Sequence, residues 1–268
     1  MAADVQDPVG GRTCRAALAT ALALALLAGR LARAAPEEIQ VYLDDLSPPG
    51  GFGLDVHNNF VPSGATAPEY PGAEPPSHMY RLTPEFYYGL ARDVELGLYV
   101  LSTRTPADGA QLDGAKLRIK YVAPHDPARG LFWGANLEFG DTAQRVSQTP
   151  VNGELKGILG WRGGPWLLAV NPNVDWSLSA RGGPATLDVD FKVARAVSVA
   201  TQLGLESYNE LGPVGALGPL GRNSKTLYAV LDTERDGIDF NAGIGRGLTA
   251  DSDRWVLKLI VGLHFGRR

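Results

Sequence analysis

Large apolar residues occupy every second position of the stretch from Trp255 to Phe265. One side of an extended chain is wholly apolar here and has an aromatic residue at each end, while the other side includes Lys258 and His264. A period of two predicts a β-strand, and its length matches the roughly 9–11 residues that a tilted strand needs to cross a bilayer. By itself, the stretch fits a lipid-facing barrel strand and a half-buried sandwich strand equally well.

The same alternation recurs in eleven earlier segments, which makes twelve predicted strands between residues 52 and 265. From Ala115 to Tyr121, for example, three basic residues alternate with apolar ones. Pro84 lies within another predicted strand, and because proline lacks the amide donor, we expect the pairing to weaken there. The proline-rich segment 61–77 predicts a loop.

The predicted connections alternate between long and short. In chain order, the pairs are 61–77 and 89–92, 104–114 and 124–130, 141–150 and 162–165, 177–184 and 194–196, 207–224 and 232–237. Outer-membrane barrels have short periplasmic turns and longer external loops, whereas a soluble sandwich has no reason to collect its long loops at one end. We therefore predict an all-β fold, an antiparallel transmembrane β-barrel of about 12 strands over residues 52–265.

Residues 1–34 have the features of a cleaved export signal. Arg12 and Arg15 precede an apolar run at 16–28, and residues 32–34 form an A-x-A cleavage site. The run is too short for a membrane-spanning helix. This signal predicts export to the outer membrane of a Gram-negative cell.

Residues 35–51 include the acidic, proline-bearing sequence LDDLSPPGG. We interpret this stretch as a periplasmic N-terminal lead-in to the barrel. A strap, a small plug and a segment without fixed structure remain open as its form.

Composition excludes several kinds of chemistry. The single cysteine, Cys14, lies in the predicted signal, so no disulfide or thiolate site is expected in the mature chain. Removing residues 1–34 takes away four of the 25 basic and two of the 29 acidic residues, which leaves a net charge of about −6. Such a chain is not suited to bind nucleic acid.

The predicted inward faces carry charges of both signs. We predict that the lumen is lined by Lys116, Arg118, Lys120, Glu95, Glu138, Glu154, Asp175, Asp188, Asp190 and His57. Three basic residues on one strand face are too costly for a dry core without partners. Either they form cross-strand ion pairs with Glu95 and Glu138 that fill the lumen, or they line a constriction opposite an acidic wall and favour small polar or anionic solutes.

No catalytic or metal-binding constellation is recognised. The histidines are His57, His78, His125 and His264, and none has a serine at a catalytic spacing. The acidic turn at 232–239 lacks the glycine and the final carboxylate of an EF-hand loop. We predict that the protein is not an enzyme and has no cofactor and no metal site.

As a whole, residues 52–265 resemble the uncharacterised outer-membrane β-barrel proteins of proteobacteria. Within these, the chain is similar to a loosely defined group of predicted transporters, some associated with degradation of phenol and other aromatic compounds. The resemblance rests on twelve alternating strands and an aromatic-ended last strand. It implies insertion by the barrel-assembly machinery, which reads a last strand ending in Phe with a glycine five residues earlier. Here Ile260 occupies that glycine position, and Gly266-Arg267-Arg268 follow Phe265.

The expected function is a passive or substrate-selective channel for small solutes, surrounded by outer-membrane lipid. A structural or adhesion-type barrel with a side-chain-filled lumen is the alternative, and an outer-membrane lipid hydrolase is the third.

Overall fold

Twelve antiparallel strands form a closed barrel in the computed structural model, which describes residues 38–179, 183–219 and 222–265. The strands are β1 (Phe52–Ser63), β2 (Tyr80–Gly89), β3 (Val94–Thr105), β4 (Gly109–Val122), β5 (Gly130–Thr142), β6 (Val151–Gly163), β7 (Trp166–Ser177), β8 (Thr186–Ala196), β9 (Thr201–Pro213), β10 (Lys225–Arg235), β11 (Ile238–Gly247) and β12 (Trp255–Phe265). Each strand pairs with its neighbour in sequence, and β12 pairs with β1. The predicted fold is confirmed. The predicted signal at 1–34, and the three residues after Phe265, lie outside the described residues.

The outer surface of the barrel is apolar because the alternating residues point to opposite faces of each strand. In β12, Leu257 and Leu259 are 41% and 38% exposed, whereas Lys258 between them is 3% exposed. Outward-facing aromatic residues lie near both ends of the strands, such as Trp166 at one end and Trp255 at the other. An apolar band between two aromatic girdles is typical of a barrel that crosses a membrane. Among the described residues, no helix has the length and apolar character needed to span a bilayer.

The connections separate into two ends, which we call the loop end and the turn end. The loop end carries the connections that follow odd-numbered strands. The turn end carries the connections that follow even-numbered strands, together with the start of β1 and the end of β12. The predicted alternation of length holds except at one hairpin. The predicted loop 104–114 is wrong, because β3 and β4 extend to Thr105 and Gly109 and leave a connection of residues 106–108. A positive φ of 70° at Gly109 allows this tight turn.

Pro84 weakens the sheet locally, as predicted. Strands β2 and β3 pair from Tyr80 to Leu82 and again from Glu85 to Gly89, and their register is interrupted around Pro84. The other edge of β2 stays paired with β1 through this point. The interruption therefore remains confined to one side of the strand.

Residues 38–51, which we call the lumenal segment, enter the barrel: Ile39, Val41 and Tyr42 are buried, whereas residues 48–50, next to β1, are exposed. Ile39 packs on Val61, Val230 and Val256 of the wall, and Tyr42 belongs to a second buried cluster with Phe132. Of the forms left open for this stretch by the sequence, the contacts of these residues correspond to a small plug. Their sequence has no period that would reveal a buried face, and the apolar contacts come from strands distant in sequence.

The closed sheet leads to a prediction for gel mobility. Detergent-extracted protein is expected to migrate faster before boiling than after, because a barrel without free edges keeps its hydrogen-bonded sheet in detergent. The measurement is gel electrophoresis of heated and unheated samples. A variant lacking residues 255–265 is the control, since it cannot pair β1 and should show one mobility. Equal mobility of both samples of the full chain would contradict a closed barrel.

Candidate functional site: the occupied lumen

The lumenal segment crosses the barrel from the turn end towards the loop end, and wall side chains hold its backbone. Near the turn end, Ser47 N donates to Glu95 Oε2 at 2.7 Å, and Lys120 Nζ donates to the carbonyl oxygen of Asp45 at 2.7 Å. Near the loop end, Lys258 Nζ donates to the carbonyl oxygen of Ile39 at 3.1 Å. The wall thus supplies the partners that a buried extended chain requires.

Tyr42 is the central contact of this segment. Asn171 holds its backbone on both sides, accepting from Tyr42 N at 2.6 Å and donating to Tyr42 O at 3.2 Å. The hydroxyl oxygen of Tyr42 lies 2.5 Å from Tyr99 Oη and 3.3 Å from Glu138 Oε1. Lys156 Nζ lies 4.4 Å from the ring centroid, a cation–π distance. A buried aromatic ring with polar partners on β3, β5, β6 and β7 thus occupies this side of the lumen.

Arg118 connects three strands beside the segment. Its guanidinium binds Glu85 Oε1 at 2.5 Å and Glu95 Oε1 at 2.7 Å. The register places Arg118 opposite Glu138 on β5, yet the side chain lies in the other direction, across Gly97 on β3. A Cβ atom at Gly97 would lie 2.5 Å from the Arg118 Cγ atom, so glycine is needed for this path. The expected ion pair with Glu95 forms, and Arg118 itself lies away from Glu138.

A second ionic cluster joins β8, β9, β10 and β12. Lys192 Nζ lies 3.0 Å from Glu206 Oε1 and 2.9 Å from Asp232 Oδ2. Lys258 binds the other oxygen of Glu206, and Tyr208 donates its hydroxyl hydrogen to the same carboxylate at 2.7 Å. Glu206 is 1% exposed and Lys258 is 3% exposed. Sequence reasoning missed this cluster as a unit, although the alternation in β12 did place Lys258 in the lumen.

The remaining predicted lumen residues occupy neighbouring strands. Glu154 on β6 pairs with Lys156 at 3.1 Å and lies opposite Asp175 on β7 in the register. On β8, Asp190 accepts from Asn173 Nδ2 at 2.7 Å, and Asp188 lies opposite Asn173. These acidic residues lie only two to four strands from β4, which carries Lys116, Arg118 and Lys120, whereas the strand across a twelve-stranded ring from β4 is β10. The predicted acidic wall therefore lies beside the basic strand.

Two side chains bind the lumenal segment at the turn end. Asp44 pairs with Arg162 and lies 2.8 Å from His125 Nε2 through its Oδ2 atom. His125 Nδ1 lies 2.8 Å from the carbonyl oxygen of Ala123. Partial burial lowers the pKa of His125, but the hydrogen bonds to the Ala123 carbonyl and the Asp44 carboxylate outweigh it and raise this pKa above its ordinary value. The protonated imidazole forms an ion pair with Asp44.

The connection 64–79 reaches across the loop end. Tyr70 donates its hydroxyl hydrogen to the carbonyl oxygen of Gln144 at 2.8 Å, and Glu74 N donates to the carbonyl oxygen of Arg145 at 2.7 Å. Ala65 N donates to Asp253 Oδ1 at 3.4 Å, which ties the same connection to the residues between β11 and β12. Because β1 and β5 are four strands apart, this connection covers part of the loop-end mouth.

A cavity of about 780 Å³ lies at the turn end beside the lumenal segment. Its wall includes Asp55 on β1, Asp239 on β11 and Gln202 on β9. Among the described residues, eight Asp or Glu and four Lys or Arg line it. The lining is polar and has an excess of carboxylates.

These features define the class of the protein: a twelve-stranded transmembrane β-barrel of the outer-membrane type, with a chain segment in its lumen. The structure is similar to that of an outer membrane channel from Pseudomonas putida F1, with 12% identity, a TM-score of 0.58, and coverage of 85% of this chain and 100% of that one. It is also similar to the NanC porin, with 13% identity, a TM-score of 0.51, and coverage of 80% and 100%.

At such identities, the likeness establishes the fold. No protein-family model matches the chain, and a search of curated proteins finds no match. The resemblance to predicted transporters, and the link of some of them to aromatic compounds, stays a prediction.

Proposed function

We propose that the protein is an outer-membrane channel for small solutes and that its own lumenal segment closes it. The observation that carries the proposal is the path of residues 38–51 through a barrel whose inner wall is polar and charged. A barrel that serves only as a scaffold does not need so many inward-facing charges, because buried ion pairs seldom stabilise a fold more than apolar packing does. The solved barrels of similar fold include a channel and a porin.

The contacts of the segment are suited to displacement. Its backbone is held by single side chains such as Asn171, Lys120 and Lys258, and the twelve barrel strands already pair with each other without it. Each hydrogen bond contributes about 0.5–1.5 kcal/mol net, because water replaces it on release. Withdrawal of the segment through the turn end therefore leaves the sheet intact and exposes a hydrated path.

One observation favours the alternative, a barrel that transports nothing. The cluster of Lys192, Glu206 and Lys258 fills its side of the lumen without help from a ligand. Single-channel recording of the purified protein in a planar bilayer separates the two functions: discrete openings support a channel, and their lasting absence supports a structural barrel. The third expectation, a lipid hydrolase, has no observation that favours it, and the prediction that the protein is not an enzyme stays a prediction.

The charge of the cavity gives a prediction for ion selectivity. The excess of carboxylates is expected to make the open channel prefer cations, in contrast to the anion preference that the basic strand suggested. Replacing both Asp55 and Asp239 by Asn should move the reversal potential in a salt gradient towards that of the anion. The double variant should be compared with Asp126→Asn, since Asp126 is an exposed residue on a turn-end connection. Equal reversal potentials for all three proteins would count against a role of this cavity in selectivity.

The pair of His125 and Asp44 gives a prediction for pH. Because the pKa of His125 is raised, the ion pair stabilises the closed arrangement fully below the ordinary histidine pKa of about 6.5. This stabilisation is lost as the pH rises through the raised pKa. The open probability is therefore expected to increase as the pH rises above about 6.5. Bilayer recordings over a pH series measure this. In His125→Gln the increase should disappear, whereas His78→Asn, a change at an exposed histidine, should retain it.

A further inference from the structure

Three potential metal ligands meet where the lumenal segment touches β1 and β2. Glu38 belongs to the segment, His57 to β1 and Glu85 to β2, and one ligand atom from each lies within 4.8 Å of the other two. His57 is 1% exposed and Glu85 is 2% exposed. These three residues are distant from each other in sequence, so only the closed fold and the entry of the segment bring them together.

Two of these residues have buried atoms without partners. Glu38 Oε1 and His57 Nδ1 have no hydrogen-bond partner among the described residues. Buried polar atoms nearly always have a partner, and an exception points to a missing ion or water. A cation that takes the place of the hydrogen bond between His57 Nε2 and Glu85 supplies this partner for Glu38 Oε1.

The local charge also favours a cation. Arg118 binds Oε1 of Glu85 and leaves Oε2 directed at His57, 3.1 Å from its Nε2 atom. Glu95 shares the same guanidinium, so the single charge of Arg118 is divided between the carboxylates of Glu85 and Glu95. Uncompensated buried charge is costly, and a divalent ion offsets it.

We propose that Glu38, His57 and Glu85 bind a divalent transition-metal ion such as Zn²⁺. One imidazole and two carboxylates are a common ligand set for zinc, and three protein ligands leave a fourth position for water. The metal replaces the hydrogen bond between His57 and Glu85. Arg118 stays on the outer oxygen of Glu85 and orients this carboxylate, as partners behind a metal ligand commonly do.

Such an ion joins the lumenal segment to the wall. Glu38 lies close to the start of the described chain, and the two wall ligands belong to strands that do not move when the segment leaves. Bound metal therefore stabilises the closed arrangement. This consequence rests on the proposed channel function, whereas metal binding itself does not.

Titration calorimetry tests the site directly. Purified protein in detergent is treated with a chelator, dialysed and titrated with ZnCl₂. Wild type is expected to bind one Zn²⁺ per chain. Glu38→Gln and His57→Gln should each weaken binding by roughly 100-fold, since loss of even an outer partner costs 10–100-fold. Glu38→Gln is the decisive variant, because it leaves every strand of the barrel unchanged.

Two controls make the result specific. His78→Asn removes an exposed histidine in the connection 64–79 and should bind Zn²⁺ like wild type. Heat-modifiable gel mobility verifies that each variant is still a barrel. Binding of equal strength in wild type, Glu38→Gln and His57→Gln, or no binding to wild type, would overturn the site.

Bilayer recording separates the site from its consequence. Zn²⁺ is expected to reduce the open probability of wild type but not of Glu38→Gln. Stoichiometric binding without any effect on openings would retain the metal site and contradict the closing role of the segment. Absence of Zn²⁺ binding to wild type would contradict the site and leave the channel function standing.

Discussion

Deletion of residues 38–49 is expected to convert a channel that is mostly closed into one that conducts steadily, with a conductance several-fold above that of wild type. The deletion removes Tyr42, whose backbone and ring lie in the lumen in contact with Asn171, Tyr99 and Lys156. Water and ions then replace the segment beside the charged wall. Single-channel recording in a planar bilayer measures the change.

The matched control is deletion of residues 214–219. This stretch lies in a loop-end connection beyond β9, so its loss leaves the lumenal segment in place and should not change the conductance. Both deletions must retain heat-modifiable mobility for the comparison to hold. A closed barrel without residues 38–49 that conducts no better than wild type would show that wall side chains alone block the lumen.

Replacing Arg118 by Met is expected to lower the free energy of unfolding by about 3–5 kcal/mol, the usual cost of breaking a buried ion pair from one side. The carboxylates of Glu85 and Glu95 lose their common cation while both remain buried. Denaturant unfolding in detergent, followed by tryptophan fluorescence, measures the loss. The matched control is Arg104→Met on β3, where the side chain is exposed and the effect should be small.

A double-variant cycle makes the Arg118 prediction specific. Glu85→Gln alone removes one of the two charges that need the guanidinium. The double variant Arg118→Met/Glu85→Gln should lose less free energy of unfolding than the sum of the two single variants. The reason is that Glu85→Gln removes a charge that Arg118→Met leaves unpaired. Strict additivity would show that the two side chains do not depend on each other.

Alternation of polarity was sufficient to predict the barrel, because each strand carries its inward and outward faces in its own sequence. In β4, for example, Arg118 and Lys120 are buried, whereas Leu117 and Ile119 on the opposite face are exposed. The partners could not be predicted in the same way. Arg118 reaches β2 only because Gly97 leaves space on β3, and no reading of adjacent strands includes that path.

The lumenal segment was beyond sequence reasoning for a different reason. Residues 38–51 form no strand, so they have no period to indicate which side chains are buried. Their partners, such as Asn171 and Lys258, are more than a hundred residues away in the chain. The outer ends of β3 and β4 were missed because Pro106, Asp108, Gly109 and Gly114 are turn-forming residues, and such residues at a strand end resemble a loop.

The pairing of β1 with β12 closes the barrel, and we expect it to set the moment at which the lumenal segment is enclosed. Phe52 pairs with Phe265, the two rings stack with centroids 5.2 Å apart, and this contact joins the first strand to the last. All other strand pairs are hairpins of neighbours, which form early because little chain entropy is lost. By the same argument we expect the seam to form last, and it lies where the lumenal segment is attached to β1. Residues 38–51 are then expected to lie against an open sheet until the seam closes, so that the barrel assembles around them.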